Sequence, residues 1–196
     1  MPTFHVTDID SWAWYKKLEN MTAKELADRL KRKGLINNKM LMGTAFHSIL
    51  ENPPDEIGTI ERDGFPFEVL CDSEIILPQV REIRASKTYM IDGVEVILTG
   101  KVDGITHPVV TDHKLTFNFK PENYLSAYQW RAYLDIFEAD KFVYYAYHAR
   151  EKGGVVLITD VLEISVYRYP NMVDDLRRGI SGFLEFVNAN TPELMQ

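Results

Sequence analysis

The stretch Gly100-Lys101-Val102-Asp103-Gly104-Ile105, a reversal at His107-Pro108, and then Val109-Val110-Thr111-Asp112-His113-Lys114 decides how this chain reads. Both halves read as strands, rich in β-branched residues and separated by a turn signal. If the strands pair symmetrically about the reversal, Asp103 comes opposite or close to Asp112. Side chains alternate along a strand, so Asp112 and Lys114 share a face. Two carboxylates and an ammonium then meet at one end of a hairpin. Neighbouring carboxylates repel unless a cation lies between them or one is protonated. Hard oxygen donors on a rigid sheet suit Mg²⁺ or Mn²⁺, and such an ion can activate water against a phosphodiester. The Asp-x-Lys tripeptide alone is also what an exposed hairpin with surface salt bridges carries.

Two helical segments bear on that hairpin. Gly43-Thr44-Ala45-Phe46-His47-Ser48-Ile49-Leu50-Glu51 sets His47 and Glu51 one helical turn apart. His47 can offer a nitrogen ligand to the same ion, with Glu51 nearby; taken singly, it equally suits a hydrogen-bonded, half-buried helix position. In Gln129-Trp130-Arg131-Ala132-Tyr133, Gln129 and Tyr133 share a face. A glutamine on a packing face needs a polar partner.

Working outward, Thr22-Ala23-Lys24-Glu25 fits a capping box, and Gly34 followed by Leu35 reads as the stop of that helix. A second helix is predicted from Lys39 to Glu51, ending before Asn52-Pro53-Pro54. Residues 52–66 read as a surface loop. Strands are predicted at Thr88–Ile91 and Val94–Ile105 around Asp92-Gly93, a strong hairpin signal, and at Val109–Leu115. One helix follows from Pro121 to Phe137, then strands Phe142–Ala149 and Val155–Tyr167, then an amphipathic helix from Asn171 to Asn188. That order predicts an α/β fold with a mixed central sheet flanked by helices. With no repeat or long linker, residues 1–196 read as one domain: a basic, helical N-terminal extension over 1–39 and a core over 40–188.

Charge is unevenly spread. The net is −7, yet residues 1–39 hold eight of the 22 Lys/Arg and only five of the 29 Asp/Glu. A basic head on an acidic body suits a polyanion entering at one side, and suits equally a basic solvated helix face. Lys31-Arg32-Lys33, or Lys16 and Lys17, are the candidates for phosphate contacts. Trp12 and Trp14 could stack on bases, although a core position is the commoner use of tryptophan. Tyr144, Tyr145 and Tyr147 fit a strand, where aromatics pack well. A lone cysteine, Cys71, excludes an internal disulfide and a CxxC knuckle. No window approaches the roughly 18 apolar residues of a membrane span, and the acidic start lacks the pattern of a secretory signal. A cytoplasmic protein is expected.

The ordered set Gly43…His47, Gly100…Asp103, Asp112-His113-Lys114 and Gln129…Tyr133 resembles the PD-(D/E)xK nuclease superfamily, most closely its RecB-like and RecE-like exonuclease branch common in phages and prophages. The resemblance spans residues 40 to 137. It implies a restriction-endonuclease-like core in which His47, Asp103, Asp112 and the His113 carbonyl hold Mg²⁺ or Mn²⁺. Lys114 is then catalytic, with Gln129 and Tyr133 lining the catalytic site. It further implies cleavage of DNA, double- or single-stranded, by an exonuclease of recombination, repair or replication. A single-strand annealing or recombination protein would be a partner, and a homo-oligomer fits. The same fold also serves endonucleases, RNA-cutting enzymes and non-catalytic nucleic-acid-binding modules. Three features depart from the pattern: a histidine at position 113, where an apolar residue is usual; a short turn between the aspartates; and no four-cysteine iron–sulfur clasp. Facing away from the site, His113 needs a hydrogen-bond partner. Lys101, on the Asp103 face, could assist or replace Lys114, or serve as a phosphate contact or salt-bridge partner.

Overall fold

A computed structural model describes residues 1–17, 21–34, 36–52, 58–71 and 80–196. Its strands are β1 (Thr3–His5), β2 (Ile60–Arg62), β3 (Phe65–Val69), β4 (Val80–Ile91), β5 (Val94–Thr106), β6 (Val109–Thr116), β7 (Lys141–Lys152) and β8 (Val155–Tyr167). Its helices are α1 (Val6–Tyr15), α2 (Ala23–Leu30), α3 (Asn38–Glu51), α4 (Pro121–Ser126), α5 (Gln129–Ile136) and α6 (Met172–Asn190), closed by a short 3₁₀ turn at Pro192–Met195.

The mixed sheet runs β1-β5-β6-β7-β8-β3-β2, with β4 paired to β5 off that path. β4 lies antiparallel along nearly the whole of β5. The other edge of β5 is shared: β1 runs parallel to Ile97–Thr99, and β6 runs antiparallel to Gly104–Thr106. β6 pairs in parallel with β7 from Val109 to Thr116. The β5–β6 ladder therefore ends at Gly104↔Thr111, one step short of the two aspartates.

The β4–β5 turn is built as expected, Asp92 and Gly93 both having positive φ (50° and 81°), the mirror-image turn that matches strand twist. Alternation along β7 sends Phe142 and Tyr144 into one apolar cluster, and Tyr147 and Ala149 into another. The first cluster packs α1, α2, α5 and α6 against the sheet. The second holds Met42, Ala45, Phe46 and Ile49 of α3 against Phe67, Val156 and Ile158. Helices thus flank both faces, as the sequence pattern requires.

Four expectations are corrected. Residues 1–39 are not an appended extension: β1 joins the sheet, and Phe4, Val6, Ile9 and Trp12 are buried in the main core. Each such side chain contributes about 2 kcal/mol on burial, a gain that propensity over a three-residue strand does not reveal. The helix begun by the Thr22 capping box ends at Leu30, with Arg32 taking the left-handed conformation (φ 59°). The stop read at Gly34 thus falls beyond the helix end, and Leu35 lies outside the described residues. Within the stretch read as loop, β2 and β3 form a hairpin across Asp63-Gly64, both with positive φ (52° and 80°); residues 53–57 lie outside the described residues. β3 is short and contains Pro66, and it is stabilised by parallel pairing with β8, a partner far along the chain. Finally, the helix predicted over Pro121–Phe137 is two helices. Ala127 is extended (ψ 143°) and breaks the run.

Candidate active site

The fork where β5 leaves β6 gathers the predicted side chains. The Asp103 Oδ2 accepts the backbone N–H of His113 at 2.6 Å, a bond that replaces the next rung of the ladder. His47, brought over by α3, sets its Nδ1 at 3.5 Å from the same oxygen. Asp112 is buried, its side chain only 4% exposed, and its Oδ2 lies 2.7 Å from the Lys114 ammonium. Its Oδ1 accepts the Gln129 amide at 3.2 Å. The expectation that Asp112 and Lys114 share a face holds, and Gln129 has found the polar partner that its burial demands.

Tyr133 is also buried, but its hydroxyl donates to the Lys101 carbonyl at 2.9 Å. It ties α5 to β5 and reaches neither carboxylate by a hydrogen bond. Gly100 of the same motif permits this approach, since a Cβ there would stand 2.2 Å from the Tyr133 ring. A Cβ on Gly43 would meet nothing within 4 Å, and nothing in the structure requires glycine at that position. His113 turns to the other side of the sheet, its Nδ1 3.0 Å from the Tyr147 hydroxyl and its ring stacked on Tyr145, the partner its position called for. Lys101 is paired closely with Glu82.

Glu82 escaped the sequence reading because residues 80–87 carried no clear strand pattern. It stands in register opposite Asp103, at a gap in the ladder between the pairs Arg81↔Gly104 and Ile83↔Val102, with positive φ (60°). Glu82 borders a small cleft together with His47, Glu51, Arg81, Asp103 and His113.

The electrostatics follow from crowding. Burial, and then the Asp112 charge, push the Asp103 carboxyl up to about 7. Burial lowers His47, favouring a neutral imidazole with a lone pair to offer. Burial would also lower Lys114, but the Asp112 and Asp103 carboxylates outweigh it and hold the ammonium charged well above its ordinary range. Lys114 thus supplies a positive charge beside the carboxylates. Among the described residues, no three His, Cys, Asp or Glu side chains already converge closely enough to hold a metal ion. The donor chemistry nonetheless fits one: two crowded carboxylates offer hard anionic oxygens to a divalent cation, and a neutral imidazole adds a nitrogen donor.

On the far side of Lys114 and Gln129 lies a cavity of about 380 Å³. α1 contributes Asp10 and Trp14 to it, and α4 contributes Asn123, Tyr124 and Ser126, with Lys17, Arg29 and Tyr144 completing the wall. The Tyr144 hydroxyl is buried there and meets no hydrogen-bond partner among the described residues. Of the basic N-terminal residues, Lys31 is paired with Glu193, and Arg32 binds Asp8 through two hydrogen bonds. Lys16 lies over the Trp12 ring. Lys17 and Arg29 are the basic residues of that segment that face the cavity.

The fold has counterparts among solved structures. The protein SSO0001 aligns over 97% of this chain and 79% of its own, with TM-score 0.58 and 15% identity. An alkaline exonuclease, LHK-Exo of Laribacter hongkongensis, aligns over 98% of this chain and 91% of its own, with TM-score 0.51 and 15% identity. Its complex with dAMP aligns over 97% and 90%, with TM-score 0.50 and 16% identity. The chain thus shares the overall fold of these solved structures, an alkaline exonuclease among them. No protein-family profile matches the chain, and no curated protein does. Among the described residues no helix is long and apolar enough to cross a membrane.

Proposed function

We propose that this chain is a metal-dependent nuclease that hydrolyses DNA phosphodiesters, an exonuclease of phage-type recombination, repair or replication. The observation that carries this reading is the meeting of Asp103, Asp112 and Lys114 at the β5–β6 fork, with a neutral His47 beside them. Support comes from the fold shared with an alkaline exonuclease whose structure has been solved with dAMP. A module that only bound nucleic acid would have no use for a buried carboxylate forced up towards neutrality, which costs stability.

In this reading His47, Asp103, Asp112 and the His113 carbonyl hold Mg²⁺ or Mn²⁺. The ion, when bound, supplies Lewis-acid polarisation of the phosphate and an acidified water. The chain's own groups do the rest. Gln129 fixes the rotamer of Asp112 through Oδ1. Lys114 orients the attacking water or offsets charge developing on the phosphate. Tyr133 is a positioning residue that holds α5 against β5 through the Lys101 carbonyl. The cavity suits a nucleotide: Trp14 and Tyr124 offer aromatic faces, and Lys17 and Arg29 offer positive charge to phosphate.

The test is digestion of linear and circular DNA, each with Mg²⁺, Mn²⁺ or chelator. Linear DNA should be degraded to mononucleotides only with metal, and closed circles should persist. Mn²⁺ should raise the Tm of the wild type, with no rise in Asp112→Asn. Degradation in chelator, or no digestion of any DNA with either metal, would overturn the reading.

A further inference from the structure

Helix α5 starts without a cap of its own: Tyr128, at its N-cap, makes no side-chain bond to the first turn. Exposed N–H groups at a helix start need an acceptor. Here the acceptor comes from the other end of the chain. Asp10 on α1 takes the Tyr128 N–H at 2.6 Å and the Gln129 N–H at 3.2 Å. Gln129 is also the residue whose amide holds Asp112. One carboxylate therefore seats the backbone of the residue that orients the buried site aspartate.

A second set of contacts holds the same joint. A Cβ on Gly179 of α6 would stand 2.2 Å from the Tyr128 ring, and one on Gly182 would stand 2.9 Å from Trp12. α6 thus receives both α1 and the start of α5 at glycine positions, pressing the two together. Lys17 adds a hydrogen bond to Ser126 just before the Ala127 break. The break frees the first turn of α5 from continuous helix and leaves it to be placed by these partners.

We propose that Asp10 is a positioning residue of the nuclease site, holding Gln129 on Asp112 by capping α5 from α1. The proposal rests on the nuclease reading above. Among the described residues Asp10 makes no hydrogen bond to either carboxylate of the fork, so the hydrogen-bonded route from it to Asp112 runs through Gln129, and Asp10→Asn separates that route from the direct effect of its charge. That makes a double-mutant cycle decisive.

The experiment compares the wild type with Asp10→Ala, Asp10→Asn, Gln129→Ala and the double variant Asp10→Ala/Gln129→Ala, measuring kcat and KM on linear DNA. Loss of a helix cap corresponds to about 3- to 30-fold, and that loss should fall on kcat in Asp10→Ala, with KM within about 2-fold. Asp10→Asn keeps an oxygen acceptor and should stay within about 3-fold of wild type. The double variant should be no slower than Gln129→Ala. Amide exchange at Tyr128 and Gln129 reads the cap without reference to catalysis: protected in wild type and Asp10→Asn, about 3- to 30-fold faster in Asp10→Ala. Should Asp10→Ala fail to fold, Asp10→Asn against Asp10→Ser supplies the same contrast, the shorter serine losing the reach. Wild-type kcat in Asp10→Ala, multiplicative losses in the double variant, or unchanged exchange would each overturn the proposal. A wild type that cuts no DNA under any metal condition would instead overturn the nuclease reading.

Discussion

The two sides of Lys114 are built by different means. On the strand side, Asp103 and Asp112 are delivered by neighbouring segments of one hairpin, and His47 by a single helix laid across them. On the helix side, the cavity wall is drawn from α1, α4 and α5, joined by contacts such as Asp10 to Tyr128 that span more than a hundred residues. The strand side is charged, crowded and rigidly held by backbone. The helix side is roomier and mixes aromatic, hydroxyl and basic groups. On the proposed nuclease reading the contrast suggests a division of labour: the sheet carries the Asp–Asp–Lys group, and the helix-lined cavity shapes what reaches it. That division can be tested by asking which variants change turnover and which change only binding.

The largest effect should come from the strand side. Asp112→Asn and Lys114→Ala should each lower kcat by about 10³-fold or more, the scale of removing a group that acts in the transition state. Their folding should diverge. Lys114→Ala leaves the buried Asp112 carboxylate without its ammonium and should lower Tm in metal-free buffer. Asp112→Asn removes one of two crowded charges and should hold or raise it. Thermal melts beside steady-state rates check both, and a Lys114→Ala protein with wild-type turnover would move the catalytic ammonium to Lys101.

A smaller effect concerns pH. The folded Asp103 carboxyl sits at about 7, whereas an unfolded aspartate titrates near about 4. Between those values the folded state binds a proton that the unfolded state lacks, so stability falls as pH rises through that window. In metal-free buffer, Asp103→Asn should flatten the fall and melt higher than wild type at pH 7. Parallel melting curves for the two proteins across the window would sink the assignment of this carboxyl as the protonated member.

The smallest effect belongs to the helix side. Lys17→Ala and Arg29→Ala should raise KM and reduce the salt dependence of DNA binding by about one counterion each, with kcat little changed. Lys31→Ala, whose lysine is paired with Glu193, should leave the salt slope alone. Salt-titrated binding in an Asp112→Asn background measures this directly. Equal slopes for all three variants would mean that the cavity does not grip phosphate.

Particular residues show how far local signals reach. Alternation placed Asp112 with Lys114, and the Asp92-Gly93 dipeptide fixed the β4–β5 turn, because both follow from backbone geometry over a few residues. The helical spacing of Gln129 and Tyr133 found two residues of the site region but not their separate tasks, since Tyr133 spends its hydroxyl on Lys101. Glu82 was invisible because its place opposite Asp103 is defined only by the pairing of β4 with β5. Asp10 and Arg29 carry no local signal that singles them out, since their partners lie far along the chain.

The sequence by itself determined the strand periods, the hairpin turn, the helix carrying His47 and the chemical character of the Asp–Asp–Lys group, all consequences of short-range stereochemistry. Only the tertiary structure decided that β1 and α1 belong to the core, that the helix after Lys120 breaks at Ala127, and that Asp10 caps its second half. It also decided that Arg32 pairs with Asp8. These outcomes rest on burial and hydrogen bonding between distant segments. A local pattern carries no information about such pairings, because their free energy appears only when the chain has closed the long loops between them.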